Sequence, residues 1–104
     1  VNYETRNEKV HKKIDGILAY TRIVVDKESQ CTNVVRNGLI DGYKSYTDCN
    51  NDGKVDHVYQ SSSLFSRTKD YSDGSFTRDE DGKPELFQEA DKDFNEQLRR
   101  FGLQ

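Results

Sequence analysis

The sequence predicts an α+β domain: an antiparallel meander of short β-hairpins with a C-terminal α-helix packed on one face. Three observations carry that expectation. β-branched and aromatic residues gather in short runs between polar turns, most densely from Ile17 to Val25. The chain's Asn-Gly and Asp-Gly pairs include 37–38, 52–53, 73–74 and 81–82, and such dipeptides reverse a chain between neighbouring strands. One helical period then follows, with Ala90, Phe94, Leu98 and Phe101 on a single stripe. A chain of 104 residues is enough for one domain, 1–104, divided into a polar N-terminal arm (1–13), a β-rich body (14–87) and a helix (89–101).

Taken in order, residues 1–13 are charged and weakly patterned. Tyr3, Val10 and Ile14 fit one side of a short helix, which Asn2, Asn7 and Gly16 weaken, so a frayed arm or short helix is expected. Ile17 to Val25 is continuous enough to be a central strand buried on both faces. Asn37-Gly38 sets a hairpin between Val34-Val35-Arg36 and Leu39-Ile40-Asp41. Tyr43 to Thr47 and Val55 to Gln60 form a second hairpin, whose tip is the acidic segment between them. After the joint Ser61-Ser62-Ser63, short strands are expected at Leu64–Arg67, Ser75–Arg78 and Glu85–Phe87, with Pro84 placing the last at an edge. Asp52-Gly53-Lys54 and Asp81-Gly82-Lys83 form a weak repeat in which each copy reads as a turn feeding a strand. In the helix, Glu89, Asp91 and Asp93 come early, Arg99 and Arg100 come late, and Gly102 stops it, as the helix dipole favours.

The composition narrows the function. Hydrophobic residues make up 32% and mean hydropathy is -1.03, a lean core that a metal, a disulfide or a partner would reinforce. Net charge is -3 and unevenly placed: eight Lys and Arg face six Asp and Glu before Asp48, and eight face thirteen from Asp48 onward. An acidic chain of this kind is a poor nucleic-acid binder, and no apolar run has membrane-spanning length. The chain opens on Val1 and contains no Met, which suits a mature or excised piece. Cys31 and Cys49 form no CxxC pair, so structural zinc is not expected. A disulfide between them would contribute about 3 kcal/mol by chain entropy, the alternative being two separate thiols.

The chemically specific stretch is Asp48-Cys49-Asn50-Asn51-Asp52-Gly53-Lys54-Val55-Asp56. Oxygen side chains stand at its first, third, fifth and ninth positions, glycine at the sixth and an apolar residue at the eighth. A loop that curls around a hard cation needs inward oxygens at this spacing and a sharp bend at the sixth position. The competing reading is a bare hairpin turn, because Asp, Asn and Gly are what any turn prefers.

This pattern resembles the calcium loop shared by dockerin repeats, EF-hands and the hairpin loops of integrin-type β-propellers. The resemblance covers about a tenth of the chain and no family is recognised for the whole. It implies Ca2+ as the ion, side-chain ligands from Asp48, Asn50, Asp52 and Asp56, and a carbonyl ligand from Lys54. At the twelfth position, where an EF-hand places a bidentate Glu, this chain has Tyr59, and the flanks read as strands. Affinity on the order of 10⁻⁴–10⁻³ M is then expected, with magnesium weaker, and Asp41, Asp70 or Asp73 as candidates for a further ligand.

His57 beside Asp56 suggests a general base, but neighbours on a strand point to opposite faces, and no catalytic triad or phosphate loop accompanies them. Tyr43, Tyr46, Tyr59 and Tyr71 offer either a core or a face for a protein or glycan partner. The expected role is a non-catalytic calcium-binding module, extracellular, periplasmic or on the cell surface, in which Ca2+ pins a hairpin. The alternative is a metal-free interaction module whose acidic segments are only turns.

Overall fold

The computed structural model describes residues 2–39, 42–62 and 73–104. Seven antiparallel strands follow in chain order, each beside the next: β1 (Asn2–Glu4), β2 (Glu8–Gly16), β3 (Ala19–Asp26), β4 (Thr32–Gly38), β5 (Gly42–Asp48), β6 (His57–Ser61) and β7 (Gly74–Thr77). Helix α1 (Pro84–Arg100) packs on one face of the sheet. This is the α+β meander with a C-terminal helix that the turns and the apolar stripe predict.

The register explains why the lean composition suffices. Ile23 stands opposite Val34, Val34 opposite Tyr46, Tyr46 opposite Val58, and Val58 opposite Phe76. Residues directly opposite one another share a face, so these five make one apolar row across five strands. Helix α1 lays Phe87, Ala90 and Phe94 onto that row, with Leu98 and Phe101 at its margin. Ile23, Val34 and Val58 are completely buried. A lean composition suffices because the largest buried side chains, Phe94, Ile23, Val34 and Val58 among them, meet in this one layer.

Several local expectations change. The N-terminal stretch is neither frayed arm nor helix but β1 and β2, which pair from Asn2↔His11 to Glu4↔Lys9. Its polar side chains lie on the two faces of a strand recruited by pairing with β3. Ile17 and Leu18 fall outside β3 and form an exposed turn, while Thr21 and Ile23 carry the strand's buried face. The β4–β5 turn follows Gly38 instead of centring on Asn37-Gly38, and Gly38 pairs with Gly42. Glu85-Leu86-Phe87 is the first turn of α1, and Pro84 opens the helix. Proline suits that place because the amide it lacks would have no helical partner there. Ser61 ends β6, and Ser62 donates its amide and hydroxyl to Asp73, so this part of the serine joint is tied down. The expected strand Leu64–Arg67 lies outside the described residues.

A polar network fastens the helix near its C-terminal end. Asp93 accepts from Arg36 at 3.0 Å, from the Tyr46 hydroxyl at 2.9 Å and from Gln97 at 3.1 Å. Burial, with the Asp93 charge beside it, pushes the Tyr46 phenol well above its ordinary value, so it stays a donor. Asp15 accepts from Thr21 and Arg100. Burial works against its charge, but these two donors outweigh burial and hold its carboxyl below the usual range.

Candidate functional site

Loop 48–56 joins β5 to β6 and is closed at its base by two hydrogen bonds. The Asp56 amide donates to the Thr47 carbonyl at 2.7 Å, and the Cys49 amide donates to Asp56 Oδ2 at 2.8 Å. Inside this closure the chain coils around Asp48. Its Oδ1 accepts the amides of Asn50 and Asn51 at 3.0 Å each, and its Oδ2 accepts the Gly53 amide at 3.1 Å. Asp48 is 2% exposed, so three amides replace the water this carboxylate gave up. Gly53 has φ +77°, the left-handed bend that carries the chain round the carboxylate.

The remaining predicted residues lie on the loop's outer side. Asp52 is exposed and its Oδ1 accepts the Lys54 amide at 2.9 Å. Asn50 is exposed, with Nδ2 at 3.5 Å from Asp56 Oδ1. The Lys54 side chain is exposed, as its assignment to a carbonyl role requires. Val55, the apolar eighth position, is completely buried and belongs to the core row under the helix. Cys31 and Cys49 are joined in a disulfide, one residue beyond the Thr32↔Asp48 pair, so the staple sits at the loop's root. A disulfide points to an oxidising compartment.

Three residues hold the loop without having been legible as site residues. Asp91 Oδ1 accepts the Val55 amide at 2.7 Å. Arg78 donates to the Val55 carbonyl at 2.7 Å and forks onto Asp91 at 2.5 and 2.6 Å. Asn95 Nδ2 donates to the Gly53 carbonyl at 2.9 Å. Asp91 and Asn95 are four apart and therefore on one helix face, which is the signal that was available. Their sequence context reads equally well as a favourable dipole charge and a solvated amide, so only the docking of α1 assigns them to the loop.

The donor chemistry of Asp48, Asn50, Asp52 and Asp56 suits a hard cation, since every side-chain donor is an oxygen. Their directions are a separate matter. Among the described residues no three carboxylate, imidazole or thiolate side chains converge on one point, and each of the three loop carboxylates is turned to an amide of its own loop. Of the candidates for a further ligand, Asp73 binds Ser62 at the opposite end of β6, away from the loop. Asp41 and Asp70 lie outside the described residues.

His57 does not meet Asp56. Its ring nitrogens contact the Thr77 hydroxyl at 3.1 Å and the Ser75 hydroxyl at 2.8 Å, on the sheet face away from the helix. Tyr43 and Tyr59 meet edge-to-face on that same side, 5.8 Å between centroids, whereas Tyr46 is buried under the helix. Tyr71 lies outside the described residues. No protein-family model, curated protein or solved structure matches this chain, and no helix among the described residues is long and apolar enough to cross a membrane.

Proposed function

We propose that this protein is a non-catalytic, calcium-binding module of the extracellular space, periplasm or cell surface, in which Ca2+ pins loop 48–56 to the sheet and helix. The observation that carries this reading is the coil of the loop around Asp48, with the amides of its third, fourth and sixth residues aimed at the carboxylate of its first. That is the inward curl a 1-3-5 oxygen loop requires, and it is held by the helix and the disulfide. Asp48, Asn50, Asp52 and Asp56 would hold the ion with the Lys54 carbonyl. Asn50 and Asp52 are exposed, so turning them inward gives up one loop hydrogen bond on Asp52 and a long contact on Asn50, about 0.5–1.5 kcal/mol each. What the ion supplies is charge: it relieves the repulsion among three neighbouring carboxylates.

A second reading, a metal-free protein- or glycan-interaction module, is favoured by one specific observation: the loop carboxylates already satisfy loop amides. Thermal melts in calcium, magnesium and EDTA separate the two. With Kd on the order of 10⁻³ M, calcium at about ten times that level stabilises by about 1.4 kcal/mol, which raises Tm by several degrees. Magnesium should do less, and Asp52→Ala should remove the shift while leaving the fold intact. An unchanged Tm in millimolar calcium rejects the calcium reading in favour of the second.

A further inference from the structure

The sheet face turned away from α1 has a composition of its own. Side chains alternate along a strand, so the neighbours of the helix-facing row point to the other side. There Lys12, Arg22, Val35, Ser45, Tyr59 and Ser75 stand opposite one another in turn, one from each of β2 to β7. The row beside it runs from Val10 through Asn33 and His57 to Thr77. Neither row contains an acid, in a chain with 19 Asp and Glu against 16 Lys and Arg. Hydroxyl and amide groups take their place and brace one another. Asn33 donates to Ser45 and Thr47, and His57 contacts Ser75 and Thr77. Tyr59 stands among them 44% exposed.

Charge indicates what this face meets. Lys12 and Arg22 lie directly opposite each other in the middle row. Glu8 and Asp26 lie opposite each other at the rim, four residues and so about 13 Å along the strands. Asp26 is turned to the amides of Glu28 and Ser29. The other strand cations, Lys9, Lys13, Arg36 and Lys44, alternate onto the helix face. Like charges in register cost stability, a cost that a bound anion removes. Arg22 carries the sharper signal. Its Nε is buried and has no hydrogen-bond partner among the described residues, and no described carboxylate pairs with it. A buried donor left in this way is costly and rare. An oxyanion brought by a ligand supplies the acceptor, because the guanidinium can lift and fork onto it. Two adjacent cations, an exposed tyrosine ring and a field of hydroxyls describe an acidic polysaccharide. Its anionic groups suit the cations, its ring C–H faces suit Tyr59, and its hydroxyls suit side chains that both donate and accept. A single-stranded nucleic acid carries a phosphate on every unit and would call for cations along the whole row. The oxidising compartment to which the disulfide points is also where such glycans lie.

We propose that the sheet face opposite α1 binds an acidic polysaccharide laid across the strands, with an anionic group on Lys12 and Arg22 and a sugar ring on Tyr59. This names a partner class for the interaction reading and does not depend on whether loop 48–56 holds calcium. The test is calorimetric titration of the whole chain, in EDTA, with heparin, with dextran of matched length and with single-stranded oligothymidylate. Heparin should bind, less tightly as salt rises, and dextran should bind about tenfold more weakly or not at all. Arg22→Gln and Tyr59→Ala should each lower heparin affinity about tenfold. In NMR spectra, the Arg22 Nε proton should shift and exchange more slowly once heparin is added. Arg22→Gln removes a donor that has no partner, so this variant should melt close to the parent, and lost binding is not lost folding. Lys92→Gln, on the exposed side of α1, should change nothing. The proposal is overturned if heparin does not bind, if dextran or the oligonucleotide binds as tightly, if Lys92→Gln costs as much affinity as Arg22→Gln, or if the Nε signal does not respond. Every arm is run without calcium, so failure here leaves the thermal-melt test of loop 48–56 untouched.

Discussion

Asp52-Gly53-Lys54 and Asp81-Gly82-Lys83 are the same three residues with the same left-handed glycine, φ +77° and +62°, yet the first leads into a strand and the second into a helix. In both, a local aspartate takes a backbone amide: Asp52 that of Lys54, Asp81 that of Thr77. The difference lies in what surrounds the turn. The first is wound around the buried Asp48, stapled by the disulfide at its root, and gripped by Arg78, Asp91 and Asn95. The second is an exposed connection whose next residue, Pro84, opens a helix. A shared tripeptide therefore sets the bend in the chain, and its neighbours set what the bend is for.

Mutations can test that contrast, beginning with the largest effect. Asp48→Ala removes a buried acceptor shared by three part-buried amide bonds and should cost about 3 kcal/mol, whereas Asp81→Ala removes one exposed acceptor and should cost about 1 kcal/mol. Urea unfolding of the two variants measures the gap, and equal losses would show that the two turns are equivalent after all. Replacing both cysteines with serine should cost about 3 kcal/mol in the same assay. If the staple matters to the first turn specifically, amide exchange in that variant should accelerate at Asn50, Asn51 and Gly53 before it does at 79–83.

The two glycines should behave alike. A Cβ on Gly53 meets the Asn95 side chain at 3.5 and 3.9 Å, ordinary contact distances, and a Cβ on Gly82 meets nothing within 4 Å. The cost of Gly53→Ala and of Gly82→Ala is then backbone strain alone, about 1–2 kcal/mol in each. A much larger loss at Gly53 would mean that the Asn95 grip tolerates no adjustment. The smallest effect separates the turns by ligand. Calcium at millimolar levels should slow exchange of the Asn50, Asn51 and Gly53 amides by about tenfold and leave residues 79–83 unchanged. Protection of both segments would point to nonspecific binding by acidic turns.

The repeat also shows how far the sequence could be read. The helix stripe is visible because its period is local: Ala90, Phe94, Leu98 and Phe101 identify a face whatever lies opposite. β1 and β2 are not visible, because Lys9, His11, Lys12 and Lys13 give no apolar alternation and become a strand only by pairing with β3. Glu85-Leu86-Phe87 reads as a strand for a related reason. Three residues after a turn signal fit either period, and Phe87 joins the helix stripe only once the helix is known to begin at Pro84. In the candidate site, the order of oxygens and the apolar eighth position were legible, while the burial of Val55, the carboxylate directions and the anchors Arg78, Asp91 and Asn95 were not.

By itself the sequence determined the meander-and-helix class, the helix's apolar stripe and which loop concentrates oxygens, because each depends on neighbours within a turn or two. The tertiary structure decided that the polar N-terminus is sheet, that the second Asp-Gly-Lys launches a helix, and that this helix returns to grip the first. It also decided that Ile17 and Leu18, which read as the start of a buried strand, stand exposed at a tip. Those outcomes rest on contacts between distant residues, whose chain-entropy cost is met only when the whole layer assembles.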